Sequence, residues 1–225
     1  MSGLLSLAER CASLGGHTLA GVIRSMTVRP AAKPLHPRGH VLAATLRHHV
    51  PDRPTGVPWL DTAGEERVLV RLSRAVGLPR ALPDIQGVAL RVPLPQGHAD
   101  LLFASTGLGA ATRFLLTPAW RPEGRPLTTL LPYRSPRGPL LLALRATSAD
   151  RMELLVAGAV GSWSSAGELL LPGADPQDAT DEMVELDPVC HEVPGMPNYE
   201  WVRRLREPSY ALARAHRRGD ERDGA

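Results

Sequence analysis

The stretch RVLVRLS at residues 67–73 is the first of four short runs that decide how this 225-residue chain folds. The other three are GVALRV at 87–92, ADLLFAS at 99–105 and LLLALRA at 140–146. Each run is rich in leucine and valine, and glycine, proline or aspartate bounds it. Runs of this length and composition are typical of β-strands.

Further runs extend the same pattern along the chain. We expect strands at 40–46, 152–163 and 168–171, with 183–187 as an additional candidate and a turn at Ser164, Ser165 and Gly167. Seven or eight short strands at this spacing favour a closed or nearly closed antiparallel barrel. Residues 107–116 suit a short helix or loop. Helical spacing of apolar residues predicts a short helix at 4–14 and a final helix at 201–218.

Composition agrees with many short elements rather than a helical bundle, since the chain has 22 prolines, 21 glycines and only 4% aromatic residues. The fold class is therefore α+β and mainly β. A chain of 225 residues is long enough for one large domain with its own core. We divide it into an N-terminal helix and arm (1–32), the barrel (33–188), a wrapping segment with the last helix (189–218) and a charged tail (219–225).

Several classes of protein are not expected. Cys11 and Cys190 form neither a metal-spacing motif nor a disulfide framework. There is no signal-peptide pattern and no apolar stretch of about 20 residues, so we expect a cytoplasmic protein without a membrane span. The formal net charge is only +3, and the basic excess gathers in residues 203–218. No nucleic-acid recognition motif accompanies it, so nucleic acid is not expected as a partner.

The last predicted helix contains a candidate iron ligand. Arg206 and Tyr210 are four residues apart, which places them on one helix face, and Arg217 returns to that face. A nearby guanidinium favours the phenolate form of tyrosine, and tyrosine is a known haem-iron ligand. A solvated basic helix is the alternative. Tyr133 and Tyr199 are rival tyrosines, but neither has an arginine four residues earlier.

Three segments, taken in order, resemble the haem-binding segments of the catalase superfamily. They are KPLHPRGH at 33–40, the strands containing VRLS at 70–73, LPDIQGVALRV at 82–92 and ADLL at 99–102, and the final helix at 206–219. The small catalase-related peroxidases, which have just the barrel, are the closer comparison. The resemblance implies an antiparallel catalase-like β-barrel with a short N-terminal helix, a C-terminal proximal helix and haem b as cofactor.

The resemblance also implies roles for the residues that would hold the haem. Tyr210 is the expected proximal iron ligand, as a phenolate. Arg206 is expected to hold that charge through a charge-assisted hydrogen bond. Lys33, Arg71 and Arg217 are expected to bind the two propionates, which need cationic partners when they are buried.

On the distal side, the resemblance makes His36 the acid–base group and Ser73 the residue that fixes its tautomer. His36, Ser73 and Arg206 are thus the expected catalytic residues. The chain departs from the family where a distal asparagine should follow Asp100. Only Ser105 or Thr106 offers a polar replacement there. This departure puts efficient dismutation of hydrogen peroxide in doubt more than a peroxidase cycle.

The expected function is therefore a minimal catalase-like haem protein that reduces hydrogen peroxide or an organic hydroperoxide with an unknown electron donor. A homo-oligomer is left open. The alternatives are a non-catalytic protein on the same barrel, either haem-binding or holding another apolar ligand, and an interaction protein whose final helix binds an anionic partner. A metal site at His40, His48 and His49 is rejected, because no carboxylate or cysteine stands at useful spacing.

Overall fold

The computed structural model describes residues 38–79, 81–171, 184 and 186–207. These ranges are mainly antiparallel β-structure. The helical elements are α1 (Pro58–Asp61), 3₁₀ turns at Thr112–Phe114 and Pro122–Gly124, and α2, which begins at residue 200 and is described as far as residue 207. The strands of the described residues are β1 (Arg38–His48), β2 (Gly64–Arg74), β3 (Gln86–Leu94), β4 (Gly97–Ser105), β5 (Leu127–Thr128), β6 (Tyr133–Ser135), β7 (Gly138–Ser148), β8 (Arg151–Gly158) and β9 (Ser164–Leu170).

The sheet closes on itself. Its strand order is β5-β4-β3-β2-β1-β9-β8-β7-β6, and β5 also pairs with β7. Eight strands therefore form a barrel, and β6 is attached to β7 outside the closed ring. Every pairing is antiparallel, so the barrel predicted from the sequence is confirmed.

Side chains of each strand alternate between the barrel interior and its outer face, as the period of two in a strand requires. On β2, Val68 and Val70 are buried and belong to the hydrophobic core, whereas Arg67 and Leu69 are exposed. An eight-stranded barrel is only wide enough for side chains to fill it or for one small ligand. Here the interior is filled by side chains that include Leu46, Val88, Leu90, Leu101, Phe103, Leu142, Leu144, Leu154 and Leu169.

Two segments outside the ring extend the same core. Val57 and Leu60, at α1, are fully buried. Val193 and Met196 belong to the turn-rich segment that leads to α2, and they join the same hydrophobic cluster. The proline-rich segment that the sequence placed before the final helix therefore packs on the barrel.

The shortest strand completes the ring. Leu127 and Thr128 of β5 pair with β4 on one side and β7 on the other. The Thr128 hydroxyl donates to the carbonyl of Arg113 at 2.8 Å and accepts from the Thr106 hydroxyl at 3.0 Å. A further hydrogen bond, from the backbone N–H of Leu130 at 3.2 Å, fixes the loop that follows. Side-chain hydrogen bonds thus supplement a ladder of only two residue pairs on each side.

The sequence misplaced one turn. Ser164, Ser165 and Gly167, predicted as a turn, lie in β9, and the turn occupies residues 159–163 instead. The strand predicted at 152–163 accordingly ends at Gly158. Polar, small residues are usual in turns, but here they pair in the ladder between β8 and β1.

Other expectations are only partly covered by the structure. The predicted helix at 4–14 and the final helix beyond residue 207 lie outside the described residues. Of the strand expected at 183–187, residues 184, 186 and 187 are described, and they are not in a strand. No helix within the described ranges combines the length and hydrophobicity that crossing a bilayer requires.

The pairing of β1 with β9 leads to a prediction about two glycines that both stand opposite His48, Gly64 on β2 and Gly167 on β9. A Cβ at position 167 would lie 2.3 Å from the Arg47 carbonyl oxygen, which is backbone and cannot move independently. We expect Gly167→Ala to destabilise the protein by about 1–3 kcal/mol, as overpacking does. Urea unfolding of the variant and the wild type measures this.

Gly64→Ala is the matched control, because a Cβ there meets nothing within 4 Å. It should be neutral or slightly stabilising, since alanine restricts the unfolded chain more than glycine does. Equal stabilities for the two variants would contradict the close contact between β1 and β9.

Candidate functional site

Two of the site residues expected from the sequence, Arg71 and Ser73, lie on the outer face of β1–β4. Paired residues in neighbouring strands share a face, as do residues two apart along a strand. Two adjacent rows of this face contain the sequence-predicted residues of β2. They are Val41–Arg71–Ala89–Leu102 and Gly39–Ser73–Gly87–Ala104.

Arg71 is buried on this outer face, with 8% of its surface exposed. Its guanidinium extends over Gly39. A Cβ at position 39 would lie 2.7 Å from Cζ, 2.8 Å from Nη2 and 2.9 Å from Nε. Gly39 therefore leaves the space that the guanidinium occupies, beside the first residues of β1.

Ser73 lies one row closer than Arg71 to the start of β1. Its hydroxyl donates to the Gly87 carbonyl at 3.4 Å, and the side chain is half-buried. The structure thus brings Arg71 and Ser73 onto one face, with mainly small and apolar residues in the rows around them.

The missing distal asparagine has no polar replacement on β4. Ala104 is the β4 residue aligned with Ser73 and Gly87. The Ser105 hydroxyl accepts from the Gln86 N–H and donates to the Thr117 carbonyl, and Thr106 bonds to Thr128. Ser105 and Thr106 are fully buried, so their hydroxyls serve the fold.

Gln86, the first residue of β3, also has a structural role. It is buried, and its side-chain amide donates to the carbonyls of Ala119 at 2.6 Å and Asp84 at 3.3 Å. It therefore holds the loop at residue 119 against the start of β3.

Arg206 belongs to a second cluster, formed by α2, β6 and the segment before α2. Its Nη1 donates to Oδ1 of Asn198 at 3.2 Å. Asn198 in turn donates to the Glu192 carboxylate at 2.9 Å and to the Pro188 carbonyl at 2.7 Å. Asn198 also forms a backbone bridge to Tyr133, so the described part of α2 is fastened to the barrel through β6.

Tyr133, one of the rival tyrosines, is buried in this second cluster. Its hydroxyl lies near the Arg206 side chain but makes no hydrogen bond of good geometry within the described part of the chain. Burial raises the pKa of Tyr133, and the positive charge of Arg206 opposes that rise. An arginine near a tyrosine is thus present, but Tyr133 is fixed inside the core rather than on a helix.

Four of the predicted site residues lie outside the described residues. They are Lys33, His36, Tyr210 and Arg217. Their roles as propionate ligands, distal acid–base group and iron ligand remain predictions. Of the residues that the structure does describe, Arg71 and Ser73 share one face, and Arg206 lies in the cluster around Asn198.

The structure also assembles a polar cluster that the sequence did not reveal. Arg91 and Asp100 are paired across β3 and β4 and joined by hydrogen bonds of 2.8 and 3.0 Å. His98, two residues before Asp100, shares its face, and His191 comes from the segment before α2. His191 Nδ1 lies 3.0 Å from Asp100 Oδ2 and 3.1 Å from His98 Nε2. Only the His-x-Asp spacing was visible in the sequence.

The electrostatics of this cluster favour a charged carboxylate and a neutral imidazole. Burial alone would raise the pKa of Asp100, but hydrogen bonds from Arg91, the Asp187 N–H and His191 lower it overall. Burial and the Arg91 charge lower the pKa of His98. At neutral pH the cluster therefore combines an ionised carboxylate with an unprotonated histidine.

Comparison with known proteins identifies the architecture. No protein-family model and no curated protein sequence matches the chain. Among solved structures, a bacterial catalase superposes with a TM-score of 0.57 and 13% identity, covering 89% of this chain and 60% of that chain. A fungal catalase superposes with a TM-score of 0.58 and 13% identity, covering 89% of this chain and 62% of that chain. Catalase A from Saccharomyces cerevisiae superposes with a TM-score of 0.58 and 11% identity, covering 81% of this chain and 60% of that chain.

These likenesses show that the chain has a catalase-like fold. The resemblance first seen in the sequence is thus confirmed at the level of the fold. The chain spans about 60% of the length of the catalases that it matches. At identities of 11–13% the similarity establishes architecture and leaves chemistry to be argued from the residues.

The burial of Tyr133 generates a prediction about alkaline pH. In the unfolded chain tyrosine loses its proton near its ordinary pKa of 10.0, whereas folded Tyr133 keeps its proton to higher pH. The unfolded state then binds fewer protons, so stability falls as pH rises through this range. Tyr133→Phe should lose less stability than the wild type between about pH 9 and pH 11, measured by urea unfolding.

Tyr199→Phe provides the comparison, because Tyr199 is only half-buried. It should change the pH dependence less than Tyr133→Phe does. Identical pH profiles for the wild type and Tyr133→Phe would show that Tyr133 does not titrate differently in the folded protein.

Proposed function

We propose that this protein is a minimal catalase-like haem protein that reduces hydrogen peroxide or an organic hydroperoxide, with an external electron donor. The observation that carries the proposal is the burial of Arg71 on the outer face of β1–β4, in the row next to Ser73. A buried cation beside a mainly apolar surface suits a flat, largely apolar cofactor with acidic substituents.

The residues present fit haem in two respects. Val41, Ala89 and Leu102 offer an apolar surface in the row of Arg71, and Gly39 leaves room for the guanidinium. Arg71 then binds a propionate through charge-assisted hydrogen bonds. Lys33 and Arg217 complete the propionate contacts, and Tyr210 ligates the iron.

When bound, haem supplies the iron that accepts peroxide and the electrons that break its O–O bond. His36 would take a proton from one peroxide oxygen and return it to the other, the leaving oxygen, which would depart as water or an alcohol. Ser73 holds the imidazole in the tautomer that this transfer needs. His36 precedes Gly39 by three residues, and three residues of chain span at most about 11 Å. The proposal thus keeps His36 within reach of the row of Ser73.

Arg206 supports the proximal side. It stands one helical turn before Tyr210 in the sequence, and its described hydrogen bond to Asn198 fastens its guanidinium. A guanidinium held in this way favours the phenolate of Tyr210. Tyr133 competes for the same positive charge but stays protonated at neutral pH, since burial raises its pKa.

The lack of an amide side chain on this face of β4 favours a peroxidase over a dismutase. Ala104 occupies the β4 position aligned with Ser73, and the hydroxyls of Ser105 and Thr106 bond within the fold. Bound peroxide therefore receives less orientation from β4. The same observation favours a second candidate, a haem-binding protein of this fold without turnover, and peroxide kinetics separate the two.

Haem reconstitution tests the cofactor assignment through two variants. Tyr210→Phe removes the iron ligand and should abolish the phenolate-type high-spin ferric spectrum. Arg71→Leu should keep that spectrum but weaken haem affinity about tenfold or more, since a hydrogen bond to a charged group contributes about 1.5–3 kcal/mol. Titration of the haem-free protein with haemin, followed at the Soret band, measures both effects.

Matched controls are Tyr199→Phe and Arg67→Leu. Tyr199 lies at the start of α2, and Arg67 is an exposed arginine on the same strand as Arg71. Both controls should bind haem like the wild type. An unchanged iron spectrum with full occupancy in Tyr210→Phe would overturn the ligand assignment, and a colourless wild type that refuses haemin would overturn the cofactor.

The peroxidase proposal predicts that His36→Ala keeps haem but slows its reaction with peroxide by about 10²–10⁴-fold, the contribution of a positioned acid–base group. Stopped-flow mixing of the ferric protein with hydrogen peroxide or cumene hydroperoxide measures the rate. His49→Ala is the control, because His49 is exposed and bonds to Ser165. A wild type that binds haem but reacts no faster than His36→Ala would favour the non-catalytic candidate.

A further inference from the structure

The cluster of His98, Asp100 and His191 has the geometry of an ion-binding site. Its facing atoms are His98 Nε2, Asp100 Oδ2 and His191 Nδ1, and their separations are 3.0, 3.1 and 3.9 Å. Three points at these separations lie on a circle of about 2.0 Å radius, and zinc binds imidazole nitrogen and carboxylate oxygen at about 2.0–2.2 Å. A cation at or slightly above the centre is thus at bonding distance from all three atoms.

Hydrogen bonds alone cannot satisfy all three of these atoms at once. His191 Nδ1 carries at most one hydrogen, yet it stands within hydrogen-bond distance of both Asp100 Oδ2 and His98 Nε2. If His191 Nδ1 donates that hydrogen to the Asp100 carboxylate, no hydrogen bond joins the two ring nitrogens. If His98 donates to His191 instead, the Nδ1 lone pair faces the carboxylate. A cation coordinated by the two ring nitrogens and by the negatively charged Oδ2 removes this conflict.

We propose that His98, Asp100 and His191 form a binding site for a divalent metal ion of the zinc class. Two imidazoles and one carboxylate are a donor set that Zn²⁺ accepts. The two histidine side chains are 32% and 36% exposed, whereas the Asp100 side chain is fully buried. The site therefore opens to solvent on the histidine side, where water completes the coordination.

Surrounding contacts hold two of the three ligands, Asp100 and His191, before any ion binds. Arg91 donates two hydrogen bonds to the Asp100 carboxylate, and the Asp187 N–H donates a third, at 2.8 Å to Oδ2. The backbone N–H of Asp100 bonds to the His191 carbonyl at 2.9 Å, and the His191 N–H bonds to the Asp187 carbonyl at 2.9 Å. Such outer contacts orient metal ligands. Arg91 also repels a cation, which limits the affinity.

None of the three proposed metal ligands is a residue assigned to haem binding. Asp100 and Arg91 lie one row beyond Arg71 and Ala89 on the outer face of β3 and β4. A metal here ties β4 to the segment that leads into α2, because His98 belongs to the strand and His191 to that segment. A bound metal ion therefore fastens the segment before α2 on the barrel.

Calorimetric titration of the full-length, tag-free protein with ZnCl₂ tests the proposal. The wild type should bind one zinc ion per chain. Replacing a ligand by glutamine, in His98→Gln or His191→Gln, should weaken binding by at least about tenfold, since loss of an outer-shell partner alone costs about 10–100-fold. Co²⁺ substitution should give visible d–d bands that both variants lose. Titrations with and without bound haem should agree.

His40→Gln and His49→Gln are the controls, because both side chains are exposed and lie on or next to β1. They should bind zinc like the wild type. Circular dichroism verifies that each variant is folded, and the partial exposure of His98 and His191 makes both substitutions tolerable. The proposal would be overturned if the wild type did not bind zinc stoichiometrically. It would also be overturned if the folded His98→Gln and His191→Gln variants bound zinc as tightly as the wild type.

Discussion

Closure of the sheet through β5 is the constraint on which the rest of the structure depends. With only two residues, β5 pairs with both β4 and β7 and turns an open sheet into a ring. Once the ring is closed, its interior is too narrow for more than side chains or a small ligand, and leucine and valine fill it. Any large cofactor must therefore lie on the outer face. The Thr128 hydroxyl, which bonds to the connection before β5 and to the loop after it, supports this closure.

The outer face of β1–β4 carries two different kinds of polar site in adjacent rows. Arg71 and Ser73 stand on one strand, so strand geometry alone sets their spacing. Asp100 and His98 also stand on one strand, but their cluster is complete only when His191 arrives from a segment more than 90 residues later. The first site depends on the barrel, and the second depends on how the chain wraps the barrel. A protein with a catalase-like fold can therefore vary the second without disturbing the first.

The barrel could be predicted because short runs rich in leucine and valine, bounded by glycine, proline or aspartate, are a local signal of β-strands. The resemblance of short segments to catalases singled out Arg71 and Ser73, which share a face because they are two residues apart on one strand. Other features had no local signal. A strand of two residues is too short to show periodicity, and Ser164 to Gly167 have turn-like composition although they pair with β8 and β1.

Charge interactions between residues far apart in the sequence could not be predicted either. Tyr133 and Arg206 are far apart in sequence, and only the packing of α2 on β6 brings the arginine charge to the buried phenol. Arg113, which composition alone places at the surface, is buried. It donates to the carbonyls of Gly158 and Gly161 and stacks on Trp163.

The seam between β1 and β9 has a consequence for synthesis of the protein. Only four residue pairs form it, joining Thr45–His48 to Gly167–Leu170. At about 5–20 residues per second, a ribosome needs roughly 6–25 s to proceed from the first side of this seam to the second. For that interval one edge of β1 has no partner, and the leucine-rich concave surface stays open to water. An unpaired strand edge can pair with other chains, so completion of β9 removes a site of possible aggregation.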